Sequence, residues 1–339
     1  MKTNFTNMKL QIIGLGNVGR SLVDLINKEE KSLDCLGLDL KVVSISDKNG
    51  TAIDEDGLDL KTILHHKKRN WSDFSHYHHS YTGLEAIKSV KSDVVVELTP
   101  STNNGEPGLS HIKSAFSERK NVVTANKGPL VASYDELIDL KKKNNVKFLY
   151  EATVSAQLPI FCLINSCFII DQVERIEGIF NATTNFIIGE VESGKTFKTA
   201  LDYAISAGWA ETNYSDDVDG IDSARKLVIL SNTIYNSHSR LGDVKIEGIR
   251  NIEQIVEEAK KREMKVKLMC TLTNLEKGVQ MKVSPKMIPL DDPFATINEG
   301  NMGIRYHFKN SQEIFVSAQF NNPIQTAYAV LNDIIKMDQ

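Results

Sequence analysis

Apolar positions along the chain follow two regimes. Up to about residue 150, short apolar runs alternate with stretches spaced for helices. Lys9 to Ile13 reads as a strand, and Val18 to Lys28 as a helix, with Val18, Leu22, Leu25 and Ile26 on one face. Strands are predicted again at Lys41 to Ser46, Ser92 to Leu98, Asn121 to Thr124 and Val146 to Tyr150. Helices are predicted at Glu106 to Glu118 and Ser133 to Lys143. Strands alternating with helices predict an α/β domain of Rossmann type, a doubly wound parallel sheet.

After Glu151 the order changes. Helical spacing covers Thr183 to Ser193, Thr199 to Ala207, Asp219 to Tyr235 and Ile252 to Arg262. Strand-like runs lie at Val173 to Phe180, Val266 to Leu272, Val279 to Val283 and Gly303 to Phe308. Grouped strands and helices predict a second, α+β domain. The expected division is 1–150 and 151–317, with the segment from about 318 to 339 and its helix, Ile324 to Lys336, returning to the first domain. No repeat, low-complexity tract or Pro/Gly/Ser-rich linker interrupts the chain, so the boundary is expected to be a compact hinge.

Composition narrows the classes. The 339 residues suggest about two domains. Forty Lys and Arg against forty-four Asp and Glu give a net charge of −4, which argues against a bulk electrostatic grip on nucleic acid. No apolar run is long enough for a transmembrane helix, and the N-terminus lacks the features of a signal peptide. Met8 is an alternative start. The four cysteines (Cys35, Cys162, Cys167 and Cys270) form no Cys-x-x-Cys pair, as in a reduced cytoplasmic chain. Cys162 and Cys167 sit in an apolar stretch and read as core residues.

The strand ending at Ile13 runs into Gly14-Leu15-Gly16-Asn17-Val18-Gly19, a G-x-G-x-x-G turn followed by a helix. The first glycine permits the turn, the second lets a pyrophosphate approach the backbone, and the third lets helix and strand pack closely. The helix start offers N–H groups and a partial positive charge to phosphate. Asp47, ending the second strand, is positioned for a ribose hydroxyl. Lys48 beside it suits a 2′-phosphate, so NAD and NADP both stay open.

In an open parallel sheet, ligands lie beyond the carboxyl ends of the strands. Three such ends here are polar: Glu97 to Ser101 with Thr99, Thr124 to Pro129 with Lys127, and Glu151 to Val154. Lys127 precedes a Gly-Pro turn and reads as lying outside any helix. Further on, Glu211, Asp216, Asp217, Asp219 and Asp222 precede Lys226. Asp222 and Lys226 are four apart and share a helix face. Asp219 is a candidate cap for that helix. The plainer alternative is a solvated acidic loop. Against it, the helix runs through Leu227-Val228-Ile229-Leu230 and reads as buried, which turns its charged residues into a site. A lysine there can protonate a carbonyl oxygen as hydride arrives.

Taken together these stretches resemble the short, monofunctional homoserine dehydrogenases. Thr124-Ala125-Asn126-Lys127-Gly128-Pro129-Leu130, the Tyr150-Glu151-Ala152-Thr153-Val154 stretch, the Gly178 to Asn185 stretch and the Gly-x-Asp-x-x-x-Lys of Gly220 to Lys226 occur in the family's order. The resemblance implies that Lys226 is the catalytic lysine, assisted by Asp222. It implies that Glu211, Gly208 and Asp217 lie at the substrate and that Lys127 lies between substrate and cofactor. It assigns a sodium ion to Glu151, Val154, Ala156 and Leu158, partly through backbone carbonyls, and oxygen donors suit a hard cation. It implies a homodimer through the second domain, with neither a fused aspartate kinase nor an added regulatory domain.

Departures from the family pattern stand at Ser155-Ala156-Gln157, at Ala182, and at Ala318 to Pro323, where glycines are expected. The rival readings are a dehydrogenase for another small amino or hydroxy acid and a non-catalytic dinucleotide sensor. His65, His66, His76, His78 and His79 fall close together beside Lys67-Lys68-Arg69 and read as an exposed loop, with a metal site as the sharper alternative.

Overall fold

Leu10, Ile12, Val94, Val95 and Val96 are all wholly buried. Strands covered on both faces belong inside a parallel sheet flanked by helices. The computed structural model describes residues 6–69, 74–156, 158–210, 213–320 and 322–338. The chain divides into two units, residues 1–157 with 322–339, and residues 158–321.

In the first unit the elements run β1 (Thr6–Ile13), α1 (Asn17–Lys28), α2 (Glu30–Cys35), β2 (Leu38–Asp47), β3 (Gly50–Ile53), α3 (Leu60–Arg69), β4 (Tyr77–His79), α4 (Gly83–Ser89), β5 (Val94–Glu97), α5 (Gly108–Ser117), β6 (Asn121–Thr124), α6 (Lys127–Asn144), β7 (Phe148–Leu149) and α7 (Ala152–Ser155). The sheet order is β4-β3-β2-β1-β5-β6-β7. From β2 to β7 every pair is parallel, whereas β3 and β4 join antiparallel at one edge. The chain leaves β1 for β2 on one side and returns to β5 on the other, so the strand order reverses between β1 and β5. Ligands of open α/β sheets bind at that switch.

The edge hairpin corrects the sequence reading, which took the histidine-rich segment as a loop. His78 and His79 lie in β4, and His65 and His66 lie in α3. Among the described residues no group of three or more His, Cys, Asp or Glu is arranged to hold a metal ion.

The second unit runs α8 (Phe161–Cys167), β8 (Val173–Ile179), α9 (Ala182–Glu192), α10 (Phe197–Ser206), α11 (Ser215–Val218), α12 (Ile221–Tyr235), β9 (Val244–Ile246), α13 (Ile252–Lys261), β10 (Met264–Leu275), β11 (Gly278–Pro289), β12 (Met302–Phe308) and β13 (Glu313–Ala318). Its sheet order is β13-β12-β8-β10-β11-β9. The β10–β11 hairpin is the spine, pairing Met264 with Pro289 at one end and Leu275 with Gly278 at the other. Helices α9, α12 and α13 pack on β10. Cys167 is exposed and Cys162 half-buried, so the core reading of that pair does not hold: α8 buries Phe161 and leaves its far end open.

Chain order then returns to the first unit with α14 (Ile324–Ile335). Ala327, Val330, Leu331 and Ile334 join the same core as Leu22 and Ile26 of α1. Apolar residues at three- and four-residue spacing give α14 one buried stripe against α1.

Candidate active site

The three glycines of the turn after β1 answer three different constraints. Gly14 has φ +106°, and a Cβ on it would lie 2.6 Å from the Leu98 carbonyl oxygen. A Cβ on Gly19 would lie 2.1 Å from the Gly14 oxygen, so only glycine lets α1 start this close to the turn. A Cβ on Gly16 would meet nothing within 4 Å. Gly16 is the N-cap of α1, and no side chain caps that end. An open glycine at a helix start whose N–H groups have no side-chain acceptor fits a pyrophosphate. Asn17 accepts a hydrogen bond from Arg20 at 3.0 Å, and Val18 is half-buried in the first turn. Asp47 ends β2, and its carboxylate accepts from the Asn49 N–H at 2.9 Å and the Tyr77 hydroxyl at 3.0 Å.

Beyond β5 and β6 the polar loops share one network. Glu97 is wholly buried and accepts from the Thr99 N–H at 3.1 Å, from the Thr99 hydroxyl, and from the Thr124 hydroxyl at 3.2 Å. The Asn126 amide oxygen accepts from Ser101 at 2.6 Å and from the Gly128 N–H at 3.0 Å. Ser101 in turn accepts from the Lys127 N–H at 2.9 Å. Gly108 is wedged between them, since a Cβ there would lie 2.6 Å from the Asn126 amide nitrogen and 3.0 Å from a Glu97 oxygen.

Lys127 is the first residue of α6, which corrects its reading as a loop lysine. Asn126 caps that helix, and Pro129 sits in the first turn, where its missing N–H costs no hydrogen bond. The helix kinks at Ser133, near where the sequence reading started it.

Glu151 is 8% exposed, and its N–H donates to the Asp333 carboxylate of α14 at 2.8 Å. Burial is the main force pushing Asp333 up to about 6; the Glu151 charge adds to it and the Glu151 N–H opposes it. Val154 is buried in α7, and Ala156 has φ +43°. Leu158 is buried at the start of the second unit, and Gln157 lies outside the described residues.

In the second unit Lys226 is 9% exposed on α12, and its ammonium pairs with Asp222 at 2.8 Å and donates to the Phe180 carbonyl. Asn181 ties the group together. Its amide nitrogen donates to Asp217 at 2.6 Å and to Asp222 at 3.1 Å, while its amide oxygen caps α9 through the Thr184 N–H at 2.8 Å. Asn181 and the Phe180 carbonyl were not among the predicted site residues, although both lie within a stretch that carries the family resemblance.

Not every predicted carboxylate joins the cluster. Asp216 pairs with Arg225 at 2.6 Å. Asp219 holds Arg250 through two bonds of 2.5 and 2.8 Å, and that guanidinium keeps its carboxyl below the usual range. Asp219 therefore does not cap α12. Gly220, at φ +80°, occupies that position with no side-chain bond. Gly208, at φ +79°, turns the chain out of α10. Glu211 lies outside the described residues. Cys270 is wholly buried beside Ser223 and Lys226, and burial pushes its thiol up to about 12, which leaves it unreactive.

A phosphate-binding turn on one unit and a buried lysine with two carboxylates on the other are the equipment of a dinucleotide-dependent oxidoreductase. The comparisons with known proteins agree. Residues 14–151 match the family model described as homoserine dehydrogenase, NAD binding domain, and residues 159–335 match that described as homoserine dehydrogenase. The chain belongs to the homoserine dehydrogenase family.

It is 36% identical to the homoserine dehydrogenase of Methanocaldococcus jannaschii, over 97% of this chain and 98% of that one. It is 30% identical to an NAD(+)-dependent homoserine dehydrogenase of Pseudomonas canavaninivorans, over 98% and 97%. Among solved structures, the homoserine dehydrogenase of Thermoplasma acidophilum superposes with a TM-score of 0.86 at 27% identity, covering 98% of this chain and 99% of that one. A hyperthermophilic archaeal homoserine dehydrogenase in complex with NADPH superposes with a TM-score of 0.86 at 28% identity, covering 98% of both. Membership makes this chain an oxidoreductase that acts on an alcohol with NAD(P). Among the described residues, no helix is long and apolar enough to cross a membrane.

Proposed function

We propose that the chain interconverts L-homoserine and L-aspartate 4-semialdehyde, with Lys226 as proton donor and acceptor. The observation that carries this reading is the cluster of Lys226, Asp222, Asn181 and Asp217 in the second unit. In the reducing direction Lys226 gives a proton to the aldehyde oxygen; in the oxidising direction it takes the hydroxyl proton. Asp222 fixes the amine and balances its charge. Asp217 and Glu211 are assigned to the substrate ammonium, and Gly208 is assigned to the substrate through its backbone turn after α10.

The cofactor, when bound, supplies or accepts the hydride. Gly14, Gly16 and Gly19 shape its phosphate turn, the start of α1 with Asn17 and Val18 faces the pyrophosphate, Asp47 takes the ribose, and Thr99 and Lys127 serve the nicotinamide end. By the same family reading, a sodium ion is held by Glu151 and by the carbonyls of Val154, Ala156 and Leu158. The enzyme works as a homodimer in the cytoplasm, in the biosynthesis of threonine and methionine.

The test is an assay of purified protein with L-homoserine and NAD+ or NADP+. Growth of absorbance at the reduced-nicotinamide band is the expected result. No turnover with homoserine, together with turnover of another amino or hydroxy acid, overturns the substrate assignment.

A further inference from the structure

Lys267, on β10, is 1% exposed and belongs to none of the groups described above. Among the described residues no carboxylate comes within ion-pair distance of it. Glu192, on the facing helix α9, is engaged by Lys265 at 3.2 Å and by the Val266 N–H at 2.7 Å. The Lys267 ammonium turns instead to neutral oxygens, the Asn185 amide at 3.2 Å and the Ile297 carbonyl. The Asn185 amide nitrogen reaches the carbonyls of Ile297, Glu299 and Asn301 at 3.1, 2.8 and 3.2 Å. Two side chains thus grip one loop, residues 297–301, by its backbone. A buried ammonium without a direct ion pair is costly, and burial pulls Lys267 down to about 8, against the more distant Glu192 charge that holds it up. An apolar residue would fill the interior of a sheet without that cost.

The gripped loop bears on the segment that leaves α10. Gly300 lies against the Trp209 indole so closely that a Cβ would fall 2.0 Å from a ring carbon. The same indole stacks on Phe186 of α9, with ring centres 5.2 Å apart and planes at 18°. The Trp209 carbonyl accepts from Thr183, also on α9, at 2.7 Å. Trp209 follows Gly208 and stands two residues before Glu211.

We propose that Lys267 and Asn185 are positioning residues: by fixing loop 297–301 they seat the Trp209 indole, and so hold Gly208 and Trp209 against α9, whose cap Asn181 ties Asp217 to Asp222, in register for the substrate. The proposal rests on the reading that this segment binds homoserine.

Lys267→Met and, separately, Gly300→Ala test it in a Trp71→Phe background, where Trp209 is the only tryptophan. Both variants shift tryptophan emission to longer wavelength. Both raise the KM for homoserine about tenfold, while kcat stays within about threefold and the KM for nucleotide is unchanged, as expected for lost ground-state positioning. Lys267→Gln keeps a donor for the carbonyls and recovers part of the KM. A lower melting temperature with parental emission and parental homoserine KM overturns the proposal, because the lysine is then merely structural. If Lys267→Met does not fold, parental values of both readouts in Gly300→Ala and Lys267→Gln overturn it equally. If the parent does not oxidise homoserine, the substrate assignment falls, and the emission readout still decides whether Lys267 seats Trp209.

Discussion

The phosphate turn of the first unit and the lysine cluster of the second impose opposite demands on side chains. At the turn, chemistry belongs to the backbone, and the sequence succeeds by leaving side chains out: Gly14 and Gly19 have no room for a Cβ, and Gly16 has room that a ligand needs. At the cluster, chemistry belongs to side-chain charge, and the sequence succeeds by bringing Lys226, Asp222, Asp217 and Asn181 together from two helices and the residue that caps a third. Adding atoms breaks the first region, and removing them breaks the second.

The largest expected effect lies in the cluster. Lys226→Met lowers kcat by about 10²- to 10⁴-fold, the range for a lost general acid, and leaves nucleotide affinity nearly unchanged. Steady-state kinetics with both substrates varied checks this, and equal loss of kcat and nucleotide binding refutes it.

The turn supplies the contrasting experiment. Gly19→Ala forces a methyl to within 2.1 Å of a backbone oxygen and lowers stability by about 1–3 kcal/mol, read as a fall in denaturation midpoint. Gly16→Ala meets no protein atom, changes stability by less than about 1 kcal/mol, and raises the KM for nucleotide by about tenfold. If both variants fail in the same way, the two glycines do not have separate roles.

Asn181→Ala comes next. It leaves Asp217 and Asp222 without their shared donor, and the loss of a hydrogen bond to a charged group is worth about 1.5–3 kcal/mol. The KM for homoserine rises about tenfold or more, while the KM for nucleotide does not move.

The smallest effect is a pH trend. Burial pulls Lys267 down to about 8 in the folded protein from an ordinary value of 10.5. Between those values the folded protein carries fewer protons than the unfolded chain, so stability contributed by this group rises with pH. Below about 8 the full cost of the buried ammonium is present. The melting temperature of the parent should therefore gain on that of Lys267→Met between about pH 8 and 10, and a constant difference removes the assignment.

The difference between the two regions also explains what the sequence revealed. Local spacing makes the turn visible, because Gly14, Gly16 and Gly19 lie within six residues of a strand end. The i,i+4 pair Asp222 and Lys226 is visible for the same reason. Asn181 and Lys267 reach their partners through the fold, across 41 residues to Asp222 and 82 to Asn185, and periodicity carries no trace of such contacts. The short strands β3 and β4 were missed because four- and three-residue strands offer too few positions for an alternation. Lys127 was misjudged because Pro129 reads as a break, although a proline in a first turn begins a helix.

Helix α14 gives the first unit an unusual assembly history. Residues near 330 complete a core begun near residue 22, so the two halves of one hydrophobic surface are made about 300 residues apart in translation. A nascent chain that has emerged as far as residue 157 still bares the flank of α1 to water. A dinucleotide-binding fragment cut there would inherit that bare flank, and splicing residues 322–338 back onto it is the remedy the architecture suggests.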